Sequence, residues 1–329
     1  MRVHLPVRFA LSACWLLLVV SFVAAQIPAA NSSAAKNTNS DNTIRLDTQV
    51  VSFTVSVTDK AGHPITGLEQ AAFQLHEDNV AQEISYFSYS DQPLSVGIVF
   101  DLSGSMGREK LQRAKDALKS FAATCHERDE LALVGFNERA WLVGERLLAP
   151  EALTNAFGMM TARGQTALYD AVALGLTQVA KGRQPRKVLI IVSDGEDNRS
   201  RANFKTIRRL AQESDATIYA VGIQDFTPLQ GYGKFILEEL ADLTGGHAFF
   251  PYNGAELHAA FDQIAVALRQ QYSVGYVPTS FQADGKLRRI KLKVDAASNG
   301  THHGKAVVRY RTGYVATGKG PADDVRADN

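Results

Sequence analysis

Asp101, Ser103 and Ser105 stand on alternate positions of the stretch Asp-Leu-Ser-Gly-Ser, directly after an apolar run and just before an amphipathic segment. Thr166, in Gly164-Gln165-Thr166, and Asp194, in Val192-Ser193-Asp194-Gly195, sit at comparable junctions further along. Two carboxylates and three hydroxyls are hard oxygen donors. With no imidazole or thiolate among them, they suit Mg²⁺, with Ca²⁺ and Mn²⁺ after it, rather than zinc. The hydroxyls are neutral, so a dication held mainly by them and by water keeps a deficit of negative charge. A carboxylate arriving from outside relieves that deficit. Each piece also has a plainer reading, since Asp or Ser after a strand is often a helix cap; Glu196 and Asp197 extend an acidic rim or belong to a solvated turn.

The five residues form one site only if the chain folds them onto one rim. The run 94–100 is apolar throughout, the pattern of a strand covered by helices on both faces, and 188–192 and 218–222 share it. Leu111, Ala114, Leu118, Phe121 and Cys125 recur at helical spacing, which predicts a helix over 108–124 with Cys125 as its buried last contact. Further helices are expected at 167–180, 203–213, 234–243 and 255–270, and strands at 131–136, 140–143 and 247–250, with Gly245-Gly246 ending a helix. This alternation predicts an α/β fold over 93–270: a doubly wound, mostly parallel, Rossmann-like sheet. In such sheets ligands gather at the carboxyl ends of the strands, where Asp101 and Asp194 stand, and Thr166, opening a helix, reaches the same rim.

The flanks have another texture. Residues 50–58 alternate as VVSFTVSVT and precede the turn Asp59-Lys60-Ala61-Gly62; 73–77 and 80–87 read as strands around Asp78-Asn79, and 272–277, 287–294 and 306–315 as three more. Three strands on either side are too few to bury a two-sided core, whereas about six make a small sandwich. The expected organisation is a β domain in two parts, 43–92 and 271–315, interrupted by the α/β domain 93–270, with 316–329 as a disordered tail.

Arg2 and Arg8 precede an apolar run over 9–25 ending in Val23-Ala24-Ala25, the small-residue spacing of a signal peptide cleaved after Ala25. An uncleaved anchor is the rival reading, and Leu11-Ser12-Ala13-Cys14 also has the look of a lipoprotein signal that would put a lipid on Cys14, although most of the apolar run follows that cysteine. Residues 26–42, rich in Ala, Ser, Asn and Thr, read as a flexible linker. The expected location is therefore secreted, periplasmic or at the cell envelope. Of 35 basic residues two fall in the leader, leaving 33 against 34 acidic, so no polybasic footprint for nucleic acid remains. Without the leader Cys125 is the only cysteine, which excludes an intrachain disulfide.

The pattern D-x-S-x-S, a distant Thr and an Asp after a later strand resembles the metal-ion-dependent adhesion site of the von Willebrand factor type A family, over about residues 93–270. That resemblance implies Asp101, Ser103, Ser105, Thr166 and Asp194 as the metal site, the hydroxyls touching the ion and the aspartates acting directly or through water. It further implies a non-enzymatic adhesion or protein-binding module whose partner completes the shell with Asp or Glu. The flanks, with V-x-V-T-D-x-x-G before and Y-x-V-G-Y-x-P and R-x-G-Y after, resemble bacterial secreted von Willebrand factor A-related proteins of the acidobacterial type.

Two rivals remain. One is a structural domain in which the metal only braces the loops. The other is a serine hydrolase: Ser103-Gly104-Ser105-Met106-Gly107 comes close to a nucleophile elbow, with Asp194 and His247 following in the hydrolase order. That reading replaces the first glycine by Ser103 and leaves Asp101 and Thr166 without a role. Residues 313–319 imitate a phosphate loop, but Gly320 stands where Ser or Thr is needed.

Overall fold

Four strands open the described chain: Val51–Thr58 (β1), Phe73–Glu77 (β2), Val80–Gln82 (β3) and Ile84–Tyr89 (β4). Leu94–Asp101 (β5), Gly107–Ala122 (α1), Glu130–Phe136 (β6), Ala140–Gly144 (β7), Pro150–Gly158 (α2) and Leu168–Ala180 (α3) follow. Then come Arg186–Ser193 (β8), Phe204–Glu213 (α4), Thr217–Gly222 (β9), Tyr232–Thr244 (α5), Ala248–Phe249 (β10) and Gly254–Arg269 (α6). Tyr272–Tyr276 (β11), Leu287–Val294 (β12), Val307–Tyr310 (β13) and Gly313–Val315 (β14) return the chain to strand. The computed structural model describes residues 50–89, 91–144, 150–158, 160–223, 231–298, 300 and 305–317. The expected leader 1–25, the linker 26–42 and the tail from 318 onward lie outside the described residues. Among the described residues no helix is long and apolar enough to cross a membrane.

The central sheet runs β10-β9-β8-β5-β6-β7, parallel throughout except for β7, which lies antiparallel to β6. Every residue of β5 and β9 is buried, because alternate side chains enter two different cores. Val96, Ile98 and Phe100 join Leu118 and Phe121 of α1 and Phe261 of α6 on one face. Val99, Leu189 and Ile191 join Val172 of α3, Ile207 of α4 and Leu240 of α5 on the other. The mixed α/β architecture with a doubly wound, mostly parallel sheet is thus the one the apolar runs predict.

The outer strands form two four-stranded antiparallel sheets, β13-β1-β11-β4 and β14-β12-β2-β3, each combining strands from both sides of the α/β region. They share one core, with Phe53, Val55, Phe73, Leu75, Val274 and Leu292 in it. At its centre the Glu77 carboxylate accepts hydrogen bonds from Tyr276 Oη at 2.5 Å and Tyr314 Oη at 2.9 Å. Burial holds both phenols well above the usual tyrosine range.

Two expected strands are each divided between these sheets, giving eight strands rather than six. The run 80–87 breaks at Glu83: Gln82 pairs with Leu75 in one sheet and Ile84 with Tyr276 in the other. The run 306–315 breaks at Arg311-Thr312, where the buried Arg311 guanidinium leaves the ladder to meet Asp215 Oδ1 at 3.1 Å and the Gln212 carbonyl at 3.1 Å. Strands that bend from one sheet to the other make the corners of a sandwich. Ala316 is fully buried and its N–H donates to the Lys286 carbonyl at 2.9 Å, so the packed chain extends past 315.

Candidate functional site

The parallel register of β5 and β8 sets Phe100 opposite Val192, so the next residues, Asp101 and Ser193, emerge side by side at the carboxyl ends. Ser193 Oγ donates to Asp101 Oδ2 at 2.6 Å and accepts the Gly195 N–H at 3.0 Å. The other Asp101 oxygen accepts the Ser103 N–H at 2.8 Å, which turns the chain sharply out of the strand. Ser103 Oγ and Ser105 Oγ then lie 2.9 Å apart, the first serine buried and the second exposed. The segment before α3 is zipped to this turn: Arg163 N–H donates to the Leu102 carbonyl at 2.8 Å and Gly104 N–H to the Gly164 carbonyl at 2.9 Å. Thr166, also buried, follows two residues later.

Asp101 is fully buried, and its carboxyl is pushed up to about 6, first by burial and second by the charge of Asp194, against the hydrogen bonds from Ser103 and Ser193. Two acids thus share a poorly solvated rim. Asp194 itself is buried and, among the described residues, accepts a long hydrogen bond from the Glu196 N–H at 3.4 Å. Behind it, Gly195 has φ +82° and a Cβ there would stand 2.6 Å from the Gly233 carbonyl oxygen, so the first turn of α5 presses directly on this loop.

The loop after Asp194 is tied to the start of α3. Asn198 Oδ1 accepts the Thr166 N–H at 2.9 Å, and the Thr166 carbonyl accepts the N–H groups of Asn198 and Arg199, each at 3.0 Å. Asp197 accepts the Tyr169 N–H at 2.9 Å, satisfying one of the free donors of the helix's first turn. Asp170 in return accepts the N–H groups of Arg201 at 3.1 Å and Ala202 at 3.0 Å. Asp197 is therefore a helix cap rather than a free acid of the rim.

Residues 95–263, just over half of the chain, match the family model of the von Willebrand factor type A domain. The chain belongs to this family. Curated relatives include an uncharacterized protein of Synechocystis sp., 27% identical over 177 residues, which make up 52% of this chain and 41% of that protein. The inter-alpha-trypsin inhibitor heavy chain H3 of Homo sapiens is 29% identical over 118 residues, 32% of this chain and 13% of that one. This chain thus spans well under half the length of either relative. Among solved structures, a von Willebrand factor type A protein from Catenulispora acidiphila superposes with TM-score 0.48 at 15% identity, over 84% of this chain and 76% of that one. Proximal thread matrix protein 1 of the mussel byssus, with a zinc-occupied adhesion-site motif, gives 0.47 at 18% identity, over 58% and 49% of the two chains.

The type A domain brings Asp101, Ser103, Ser105, Thr166 and Asp194 to one rim, and it leaves His247 elsewhere. Through the registers of β10, β9, β8 and β5, Ala248 is level with Val99. His247 is thus three residues short of Asp101, roughly 10 Å along the sheet, and three strands away, roughly 14 Å across it. Burial holds its imidazole down at about 4, and Ser105 Oγ is bonded to Ser103 instead. No Ser105-Asp194-His247 triad is assembled. Burial likewise pushes the half-buried Cys125 thiol up to about 12, which suits a packing contact and not a reactive thiolate.

Sequence reasoning missed Ser193, whose hydroxyl holds the Asp101 carboxylate, and Asn198, Ser200 and Asp170, whose side chains accept backbone N–H groups of distant segments, Ser200 that of Asp170 at 3.1 Å. The Ser that precedes Asp194 at the end of a fully apolar strand was the available signal. Ser193→Ala leaves a buried carboxylate oxygen and the Gly195 N–H without their partner, and is expected to cost about 1–3 kcal/mol in urea unfolding.

Proposed function

We propose that Asp101, Ser103, Ser105, Thr166 and Asp194 hold one divalent cation, Mg²⁺ first and Ca²⁺ or Mn²⁺ after it, and that a protein partner completes the shell with an Asp or Glu carboxylate. On this reading the chain is a secreted or envelope-associated adhesion module and not an enzyme. The observation that carries it is the 2.9 Å between Ser103 Oγ and Ser105 Oγ. Mg²⁺ binds oxygen at about 2.0–2.1 Å in an octahedron, whose edge is then about 2.9 Å, so the two hydroxyls already stand at the spacing of adjacent ligands. Both Asp101 oxygens accept hydrogen bonds, from Ser103 and Ser193, which suits a charge acting from behind the hydroxyls. That leaves the neutral ligands in front, and an outside acid is what they lack.

A purely bracing metal has less support. The Asp101–Ser105 turn is already braced by the Arg163, Gly104 and Ser103 N–H groups, so a cation there adds little to loop order. The leader-like residues 1–25 support the location, and the near balance of charge favours protein over nucleic acid.

The test is capture of partners from the source organism's envelope and secreted fractions. Binding is expected in Mg²⁺, to be lost in EDTA, and to fall roughly tenfold or more in Ser105→Ala and Thr166→Ala, since one lost ligand or hydrogen bond to an ion costs about 1.5–3 kcal/mol. A specific partner retained through both substitutions and EDTA would overturn the adhesion reading.

A further inference from the structure

Beside the rim, and sharing Gly164 with it, lies an open cleft of about 950 Å³ whose lining includes Arg139, Arg163, Arg199 and Arg201 together with Glu138 and Asp170. The four arginines come from three separate loops, and all four are exposed. None of them makes an ion pair with another described residue. Asp170 is occupied with backbone N–H groups. Glu138 lies over Gly164, where a Cβ would stand 3.0 Å from its Cγ. Gly164 is therefore the floor common to both places: its carbonyl holds Gly104 of the serine turn, and its α-carbon faces the cleft.

We infer that this cleft seats an acidic peptide segment of the protein partner, next to the carboxylate that reaches the metal rim. The inference rests on the adhesion reading and specifies the partner: one coordinating Asp or Glu, with further acids close to it in the chain. Four exposed guanidinium groups that no described acid pairs with are open to carboxylates from outside, and guanidinium matches carboxylate with paired hydrogen bonds. The cleft has the volume of a small-molecule pocket, but such pockets are mainly apolar and this lining is mainly charged. A densely sulfated glycan is the other polyanion to consider. Glu138 and Asp170 break the positive field into separate points, which suits spaced side-chain carboxylates better than an unbroken anionic polymer. The four arginines lie on the β6–β7 turn and on the loops at 163–166 and 194–202, which the fold zips together into one wall.

The test uses the whole chain and a labelled synthetic peptide of glutamates spaced by glycine and serine and ending in aspartate, titrated by fluorescence anisotropy in Mg²⁺ at low and at high salt. The parent protein is expected to bind with an affinity that falls as salt rises. Arg163→Glu/Arg199→Glu is expected to bind roughly tenfold or more weakly, since two exposed attractions become repulsions. The milder Arg139→Gln/Arg201→Gln is expected to weaken binding in the same direction, and serves should the charge reversal unfold the protein. The rise in melting temperature with Mg²⁺ is read on the same samples and is expected to be unchanged in both variants. Loss of that rise in the parent protein would count against the metal reading itself. A normal rise with peptide binding indifferent to both double variants would overturn the cleft alone, and so would a sulfated glycan that binds more tightly than the peptide and displaces it.

Discussion

Replacing Asp101 with Asn is expected to make the protein more stable than the parent in EDTA near neutral pH, and to lose most of that advantage once Mg²⁺ is present at millimolar concentration. The change follows from the surroundings of Asp101. Its carboxyl is raised to about 6 by burial and by Asp194, so the folded state takes up a proton more readily than the unfolded one. The sign is the opposite of that of an acid in a salt bridge: without a cation, this group favours folding most below its unfolded value of 3.8, and the advantage is lost as the pH climbs through about 6. At neutral pH the ionised form costs the fold about 3 kcal/mol. Asn has nearly the same shape without the charge; its Oδ1 can accept the Ser103 N–H and its Nδ2 can donate to Ser193 Oγ. A dication that binds only the folded parent stabilises it by mass action, about 2.7 kcal/mol when the ion is a hundredfold above its Kd, and relief of the buried charge is part of that binding energy. The melting temperature of the parent is then expected to rise by roughly 5 °C with Mg²⁺, and that of the Asn variant hardly at all. Differential scanning calorimetry of both proteins in the two buffers decides it. An equal response to Mg²⁺ in both would remove Asp101 from the metal site.

The reason this site was legible in the sequence is that its parts are of two kinds. Asp101, Ser103 and Ser105 are close in the chain and follow a run buried on both faces, so type, spacing and place in the fold all agree. Asp194 follows because the buried run 188–192 has the same texture as 94–100 and two such strands in one parallel sheet end on the same side, and Thr166 because it opens a helix at that rim. Ser193, Asn198 and Asp197 were not legible as supports. Each acts by hydrogen-bonding a backbone group or carboxylate that is remote in sequence, and nothing about their types distinguishes them from ordinary turn residues. The cleft arginines are scattered at 139, 163, 199 and 201, and no local pattern relates them. The sandwich corners at Glu83 and Arg311 failed for a different reason. Alternation continues through a residue where the chain changes sheets, because both sheets face the same core and the period of two is kept on either side of the bend.

Ending the chain at residue 270 is expected to expose the amino-terminal strands to protease, while residues 93–270 alone are expected to fold and respond to Mg²⁺. The six-stranded sheet carries its own two cores, one on each face, with helices from within 93–270 covering both. The outer strands have no such independence. Among the described strands β1 pairs with β11 and β13, and both lie beyond residue 270. Truncation also takes β12 from β2 and β11 from β4, leaving the short β2–β3 hairpin as the ladder that survives. An isolated two-stranded hairpin is marginal at best in water. Glu77 would lose both tyrosine hydroxyls that now satisfy it, and Phe73 would lose the Tyr272 ring at 5.1 Å. What would remain across the boundary is slight: the Thr54 hydroxyl meets that of Thr217 at 3.3 Å and the exposed Asp91 carboxylate meets Arg269 at 3.3 Å and His126 at 3.4 Å, whereas the Arg311 contacts to Asp215 and Gln212 go with the removed piece. Limited proteolysis followed by mass spectrometry is therefore expected to find the segment 51–89 cleaved roughly a hundredfold faster in the truncated chain than in the parent, since cleavage tracks the population of the open state. Cleavage at the parent rate would mean that the amino-terminal strands fold without β11–β14, and that the sheet pairing across the inserted type A domain joins two pieces that are each stable alone.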